Sequence, residues 1–291
     1  MEKARRLPKK ILLVCLLLVL AVITLLPFYM TVMLSQKTNG EILNHFWAWP
    51  ESLHVEFYTE AFEIIYGYVV NILIVATVSV LGALILSSLG GYVFARIEFG
   101  GKRALFILLL SLMMIPGILT LIPAFLWFKE FPFCGGNDWL GSGGQGLLNS
   151  RWVLILPYIS SGQIFGIFLF RTFYETLPES LFEAARLDGA SEFQVYRHVA
   201  LPLSAPIIAT LAIINFVTIY NDYIWPLVTV SDKEIQVFSV GVTQLQLGAG
   251  GNLDIAPMMA AYLIGSIPLI FVFLIGMKYY VEGLTKGAVK G

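Results

Sequence analysis

Few side chains able to do chemistry fall within the apolar stretches of this 291-residue chain. Asp222 is the one acid inside such a stretch, and Asn71, Gln163, Asn215 and Asn221 are the amides in or near them. A carboxylate or amide held in an apolar medium can hydrogen-bond a hydroxyl-bearing solute. It can equally bond a neighbouring helix, a contact worth roughly 0.6 kcal/mol in membranes. Both readings stand open for Asn71, Asn215, Asn221 and Asp222 as the lining of a substrate path. Asp222 comes roughly 29 Å along its stretch at about 1.5 Å per residue, near a water interface. Ion-coupled carriers place titratable groups near the membrane midplane. Their absence here favours an external energy source.

Other chemistries lack their signatures. No G-x-x-x-x-G-K-[ST] phosphate cradle occurs, and the Gly-rich run at 135–146 has no Lys. That run reads as a flexible turn. No H-E-x-x-H, no metal-spaced Cys/His cluster and no G-x-S-x-G elbow is present. His45, His54 and His198 read as surface histidines, and Cys15 and Cys134 do not form a disulfide framework. The chain is therefore expected to be no enzyme, with no catalytic residue, cofactor or metal of its own. If ATP powers it, another polypeptide binds the ATP and Mg.

The segment 172–202 carries the most structured polar pattern. Thr176 with Glu179 has capping-box spacing, and Pro178 suits a first helical turn. Leu181, Phe182 and Ala185 then form an apolar stripe at helical spacing. Asp188-Gly189 stops that helix, because Gly accepts the left-handed C′ position. Ser191 with Gln194 opens a second helix through about His198, and Leu201-Pro202 turns the chain away. Small residues at Ala184, Ala185, Gly189 and Ala190 let a helix sit deep in a groove, with Glu183, Arg186 and Asp188 at its rim. The groove belongs either to another protein or to this chain's own helices.

The elements that must position these residues follow from composition. Hydrophobic residues make up 58% of the chain and charged residues 13%, about half the ~25% usual in soluble proteins. A net charge of −1 leaves no basic excess for nucleic acid. Six stretches, 11–34, 68–96, 104–128, 152–171, 203–228 and 258–280, approach or exceed the roughly 20 apolar residues of a membrane span. The first has a basic lead but is too long for a signal peptide and lacks an A-x-A site, so it reads as a retained span. Fourteen of the 18 Lys and Arg fall on the side holding both termini, which places the termini in the cytoplasm. The expected fold is an all-α polytopic membrane protein of six spans. Its order is a basic N-terminus (1–10), a first span (11–34), an acidic and aromatic outer loop (35–67), a core (68–281) holding the 172–202 loop, and a tail (282–291). The outer loop reads as an interfacial belt and as a docking surface. Pro116, Pro123 and Pro226 read as hinges or static kinks.

Glu183-Ala184-Ala185, three residues, Gly189, nine residues, then Val199-x-Leu201-Pro202 resembles the EAA motif of permeases in binding-protein-dependent ABC importers. Val199 stands where Ile is usual. Gly91-Tyr92-Val93-Phe94-Ala95-Arg96 with Phe99-Gly100-Gly101 resembles the second span's end in the carbohydrate-type branch. Met114-Ile115-Pro116-Gly117, Asn221-Asp222-Tyr223-Ile224-Trp225-Pro226-Leu227 and the tail from Tyr279 resemble other parts of it. The resemblance implies a type I-like ABC importer permease in a bacterial or archaeal cytoplasmic membrane. It implies that Glu183, Ala184, Ala185, Asp188, Gly189 and Ala190 form a coupling helix on an ATPase. It further implies a second permease, two ATPase subunits, an extracytoplasmic solute-binding protein and a sugar substrate. Rival readings are a permease for another solute such as glycerol phosphate, an ion-coupled carrier and a membrane scaffold.

Overall fold

The computed structural model describes residues 2–244 and 255–288, and side chains within 10–243 and 255–277 except Ile11. Helices account for the regular structure of the described residues. Four helices are long and apolar enough to cross a membrane, and two bent pairs bring the possible spans to six. The chain divides into two compact units, Met1–Tyr66 with Val242–Ile267 and Gly67–Gly241 with Pro268–Gly291.

In the first unit, α1 (Glu2–Leu34) exposes apolar side chains on every face from Leu12 to Phe28, as suits a helix surrounded by lipid. The expected basic N-terminus contributes backbone to α1, and its side chains before Lys10 lie outside the described residues. A compact hairpin follows. The buried Lys37 ammonium donates to the His45 and Phe46 carbonyls at 2.7 and 2.9 Å. Thr38 and Glu41 form a reciprocal capping box at α2 (Asn39–Asn44). Glu41 also accepts from the Glu51 N–H at 2.9 Å. The Glu51 and Thr38 amides pull the Glu41 carboxyl down to about 2. Much of the expected loop is thus built.

The second span starts earlier than its apolar run. α3 runs Glu56–Arg96, twelve residues beyond the expected start at Tyr68. Glu56, Glu60 and Glu63 suggest a loop, yet a helix in water tolerates charge on one face. Ala61 and Ile65, on the other face, are fully buried.

In the second unit, α3 packs on α6 (Arg151–Glu175) through small residues. A Cβ on Gly82 would meet Ile159, one on Gly90 would meet Ile167, and one on Gly91 would meet Phe170 and the Arg171 nitrogen. In the reverse direction Gly166 leaves room for Ser87. Small faces of this kind substitute close contact for a hydrophobic driving force that lipid does not supply.

The expected third and fifth spans, 104–128 and 203–228, are both broken: the hinge or kink read at Pro116 is a full break, and a second break falls at Ser204. α4 (Lys102–Leu112) and α5 (Gly117–Lys129) meet at 95°. Pro116 stands at that break with extended backbone and no N–H to give; Pro123 lies within α5. After α7 (Glu179–Leu187), α8 (Glu192–Val195) passes through a π turn, Tyr196–Ala200, into α9 (Leu201–Leu203). The turn away comes at Ser204, where α10 (Ala205–Asn221) departs at 73°. A second interruption at Asp222 separates α10 from α11 (Ile224–Thr229), with Pro226 inside α11. α12 is Phe238–Gln244, and α13 (Ile255–Ala288) contains the expected last span and most of the tail. Residues 289–291 of that tail lie outside the described residues.

The Gly-rich stretch, expected to be a flexible turn, is a loop tied together by hydrogen bonds. Buried Asn137 donates to the Lys129 and Phe131 carbonyls and accepts from the Gly144 N–H at 2.7 Å. Asp138 accepts from the Leu140 and Ser142 amides. Gly146 has φ +59, and a Cβ there would strike the Phe128 and Lys129 carbonyls, so only Gly fits.

Candidate functional site

Two features gather the residues singled out in the sequence. One is the α7–α8 corner. Phe182 is fully buried among Tyr92, Phe170, Tyr174, Val195 and Tyr196, and anchors α7 from beneath. The opposite face carries Glu183, Ala184 and Asp188, all exposed, with Gly189 beside them; Ala185 and Ala190 are half-buried. α7 ends in a Schellman motif. Ala190 N–H bonds the Ala185 carbonyl, Gly189 N–H bonds the Arg186 carbonyl, and Gly189 has φ +83. Ser191 and Gln194 then form the expected reciprocal capping box. A groove of 280 Å³ opens between the two helices, lined by Ala185, Asp188, Gly189, Ala190, Gln194 and His198 among others.

The expected Thr176–Glu179 capping box does not form. α6 runs on to Glu175, so Thr176 ends that helix and its hydroxyl donates to the Phe173 carbonyl at 2.6 Å. Pro178 takes the N-cap place, which makes Glu179 the first residue of α7 rather than its third. The Glu179 carboxylate instead pairs with Arg96 and Arg186. Arg96 also donates to the Tyr174 and Leu177 carbonyls and lies 4.0 Å over the Phe182 ring. Arg186 donates to Glu192 at 2.9 Å. That bond lowers the Glu192 carboxyl and raises the Arg186 guanidinium from their ordinary values. Sequence reasoning missed Leu187, 88% exposed, and Phe193, 62% exposed, which flank the groove as apolar knobs. Exposed apolar side chains on a charged corner were the available signal.

The second feature is a cavity of 950 Å³ between α4, α5, α6 and α11. Its wall is mostly apolar, with Trp127, Phe128, Phe131 and Trp225 among Thr120, Tyr158, Ser160, Ser161 and Asp222. The Tyr158 hydroxyl donates to Asp222 Oδ2 at 2.9 Å, and Trp225 is fixed by its Nε1–H on the Val153 carbonyl at 2.8 Å. An acceptor pair beside aromatic faces suits a hydroxyl-rich solute with apolar ring faces. No Lys or Arg lines it.

Of the four candidate pathway residues, only Asp222 reaches this cavity. Asn71 is buried elsewhere, donating to the Glu234 and Gln236 carbonyls and accepting from Arg151 at 3.0 Å. Asn215 is half-buried beside Gly162, and exposed Asn221 donates back to the Val217 carbonyl. Gln163 lends its carbonyl to Ser87. Among the described residues, no three His, Cys, Asp or Glu are grouped to hold a metal ion.

A chain of long apolar helices with an exposed helical corner and a mostly apolar cavity holding a few polar side chains has the build of a transport subunit. Residues 87–286 match the family model of the binding-protein-dependent transport system inner membrane component, and the chain belongs to that family. It is a multi-pass membrane protein and a permease subunit of an ABC importer. It is 30% identical over 269 residues to the melibiose/raffinose/stachyose import permease protein of Bacillus subtilis (strain 168), covering 91% of each chain. It is 31% identical over 221 residues to the maltose/maltodextrin transport system permease protein of Escherichia coli (strain K12), covering 75% of this chain and 70% of that one. The fold is shared with a bacterial ABC transporter involved in import of the acidic polysaccharide alginate. The TM-score is 0.78 at 21% identity, over 93% of this chain and 96% of that one.

Proposed function

We propose that this chain forms half of the translocation pore for a sugar or oligosaccharide. A homologous permease supplies the other half, and an extracytoplasmic binding protein delivers the solute. Both termini lie in the cytoplasm of a bacterial or archaeal cell, where two ATPase subunits bind ATP and Mg. The chain itself holds neither and carries no catalytic group.

One observation carries this reading: α7 is anchored by Phe182 on one face and presents Glu183, Ala184, Asp188 and Gly189 on the other. A helix held from beneath with small and acidic residues outward is shaped for insertion into a cleft. Closure of the ATPase pair on ATP draws α7 inward, the spans rock, and the pore faces outward. Hydrolysis resets the pore and releases the solute inside. The sugar assignment rests on the named relatives and on the aromatic cavity with Asp222 and Tyr158. A cavity with an acid and no cation disfavours anionic solutes such as glycerol phosphate.

The test is reconstitution with the neighbouring ATPase, permease and binding protein in liposomes. Glu183→Ala and Gly189→Asp should insert normally yet lose ATP-dependent uptake. Wild-type uptake and ATPase stimulation in both variants would sink the coupling assignment. Asp222→Asn and Tyr158→Phe should weaken uptake of the transported sugar while ATPase binding persists.

A further inference from the structure

The residues around Phe182 close into a ring. Tyr92 and Arg96 stand one turn apart on α3. Arg96 pairs with one oxygen of Glu179, the first residue of α7, and Arg186 takes the other oxygen at 3.3 Å. Arg186 Nε donates to one oxygen of Glu192 at 2.9 Å, and the Tyr92 hydroxyl donates to the other at 2.8 Å. The circuit thus leaves α3, passes both ends of α7 and the start of α8, and returns to α3. Two guanidiniums balance two carboxylates. Phe182 lies inside the ring without exposure, under the Arg96 guanidinium and 6.5 Å from the Tyr92 ring. The Arg96 side chain is only 9% exposed, and its Nε is buried without a partner. A buried, unsatisfied donor costs free energy, so this geometry is held by the bonds around it.

We propose that this ring is the joint through which displacement of α7 reaches the membrane, and that it drives α3. The proposal rests on α7 being the ATPase-coupling helix. The covalent link from α6 to α7 is three residues, Thr176 to Pro178, and α7 ends at a left-handed Gly189. Both are places where a pulled helix would pivot. The ring removes that freedom, because it fixes the first turn of α7 through Glu179 and the last through Arg186. A pull on the exposed face of α7 then moves α3 as a rigid lever. Arg96, Tyr92, Glu179 and Glu192 are positioning residues; Arg96, Tyr92 and Glu192 lie off α7, and Glu179 stands one turn before Glu183 with its carboxylate held by Arg96 and Arg186.

The experiment uses the full importer in liposomes, measuring ATPase recovery on purification, ATP hydrolysis and sugar uptake per ATP hydrolysed. Arg96→Gln and Glu179→Gln should recover the ATPase in normal amount and hydrolyse ATP, while uptake per ATP falls about tenfold, within the usual range of coupling between sites. Tyr92→Phe removes one hydroxyl from an otherwise intact core and should lower uptake per ATP in the same direction but less. In a background lacking Cys15 and Cys134, Tyr92→Cys with Glu192→Cys should show the same defect. A short bis-maleimide bridge between the two should restore uptake, which a merely structural defect would not allow. Uptake per ATP at the parent level in Arg96→Gln and Tyr92→Phe overturns the joint and leaves the coupling assignment standing. Failure of the parent complex to bind any ATPase overturns both.

Discussion

Replacing single glycines of α3 by alanine should separate backbone contact from side-chain contact. At Gly91 the added Cβ would meet the Phe170 Cβ, the Arg171 nitrogen at 2.9 Å and the Phe170 carbonyl carbon at 3.1 Å. The nearer backbone atom is about 0.6 Å inside the ~3.5 Å at which such atoms attract best. Backbone cannot rotate away, so α3 and α6 must part. Overpacking of this kind costs about 1–3 kcal/mol, and Gly91→Ala belongs at the upper end. At Gly90 the Cβ would meet the Ile167 Cγ1 at 2.9 Å and Cδ1 at 3.0 Å. A strained rotamer there costs about 0.5–1.5 kcal/mol. At Gly67 no described atom lies within 4 Å. All three sites gain the same helix propensity, up to about 1 kcal/mol, so it cancels from their differences. Gly67→Ala should be neutral or stabilising, Gly90→Ala about 1 kcal/mol worse, and Gly91→Ala about 3 kcal/mol worse than Gly67→Ala. The assay is unfolding of the isolated subunit in mild detergent by titrated denaturing detergent, followed by circular dichroism. Equal stability of Gly91→Ala and Gly67→Ala would refute close α3–α6 approach.

Three further outcomes are expected. Gly189 has open space around its Cα but φ +83; Gly189→Val should therefore cost about 1–2 kcal/mol of backbone strain and weaken ATPase recovery, whereas Gly189→Asn should stay near the parent. The Glu41 carboxyl titrates near 2 against an ordinary 4.5. Its support of the hairpin around α2 is therefore complete above pH 4.5 and lost as pH falls through 2. Hydrogen exchange at the Thr38 and Glu51 amides should show that loss, and Glu41→Gln should abolish its pH dependence. Asn149 has φ 54, and its Oδ1 accepts from the Ser231 amide and hydroxyl and the Asp232 amide. Asn149→Ala should destabilise by about 2 kcal/mol in the same unfolding assay. Asn149→Asp, which keeps the acceptor and tolerates that backbone, should not.

Length and apolar runs located the helices long and apolar enough to cross a membrane, because the hydrocarbon core sets a length that local composition reports. They did not reveal the break at Ser204, since an apolar average is unchanged when its helix bends; Pro116, which has no N–H to give, marked the other break. The Ser191–Gln194 box was legible because Gly189 ends α7 two residues earlier and leaves Ser191 free to cap. Thr176 had the same spacing to an acid, but α6 had not yet ended. Arg96 was visible only as part of a resemblance. Its partner Glu179 is 83 residues away, and Tyr92 and Glu192 are 100 apart, separations that no local pattern encodes. Asp222 was found as a lone acid in an apolar run. The cavity it serves also needs Trp127 and Tyr158, which look like ordinary span residues until α5, α6 and α11 converge.

The 95° bend between α4 and α5 bears on what must lie beside the chain. The two halves have 11 and 13 residues, about 17 and 20 Å long at ~1.5 Å per residue. Neither alone spans the roughly 30 Å hydrocarbon core. A bent pair emerging into lipid would also expose the backbone carbonyls around Met113–Ile115, at several kcal/mol for each unsatisfied group. Met113, Met114 and Ile115 stay exposed in the subunit alone, so a bend at membrane depth requires a neighbouring protein surface or a water-filled cavity to meet those carbonyls.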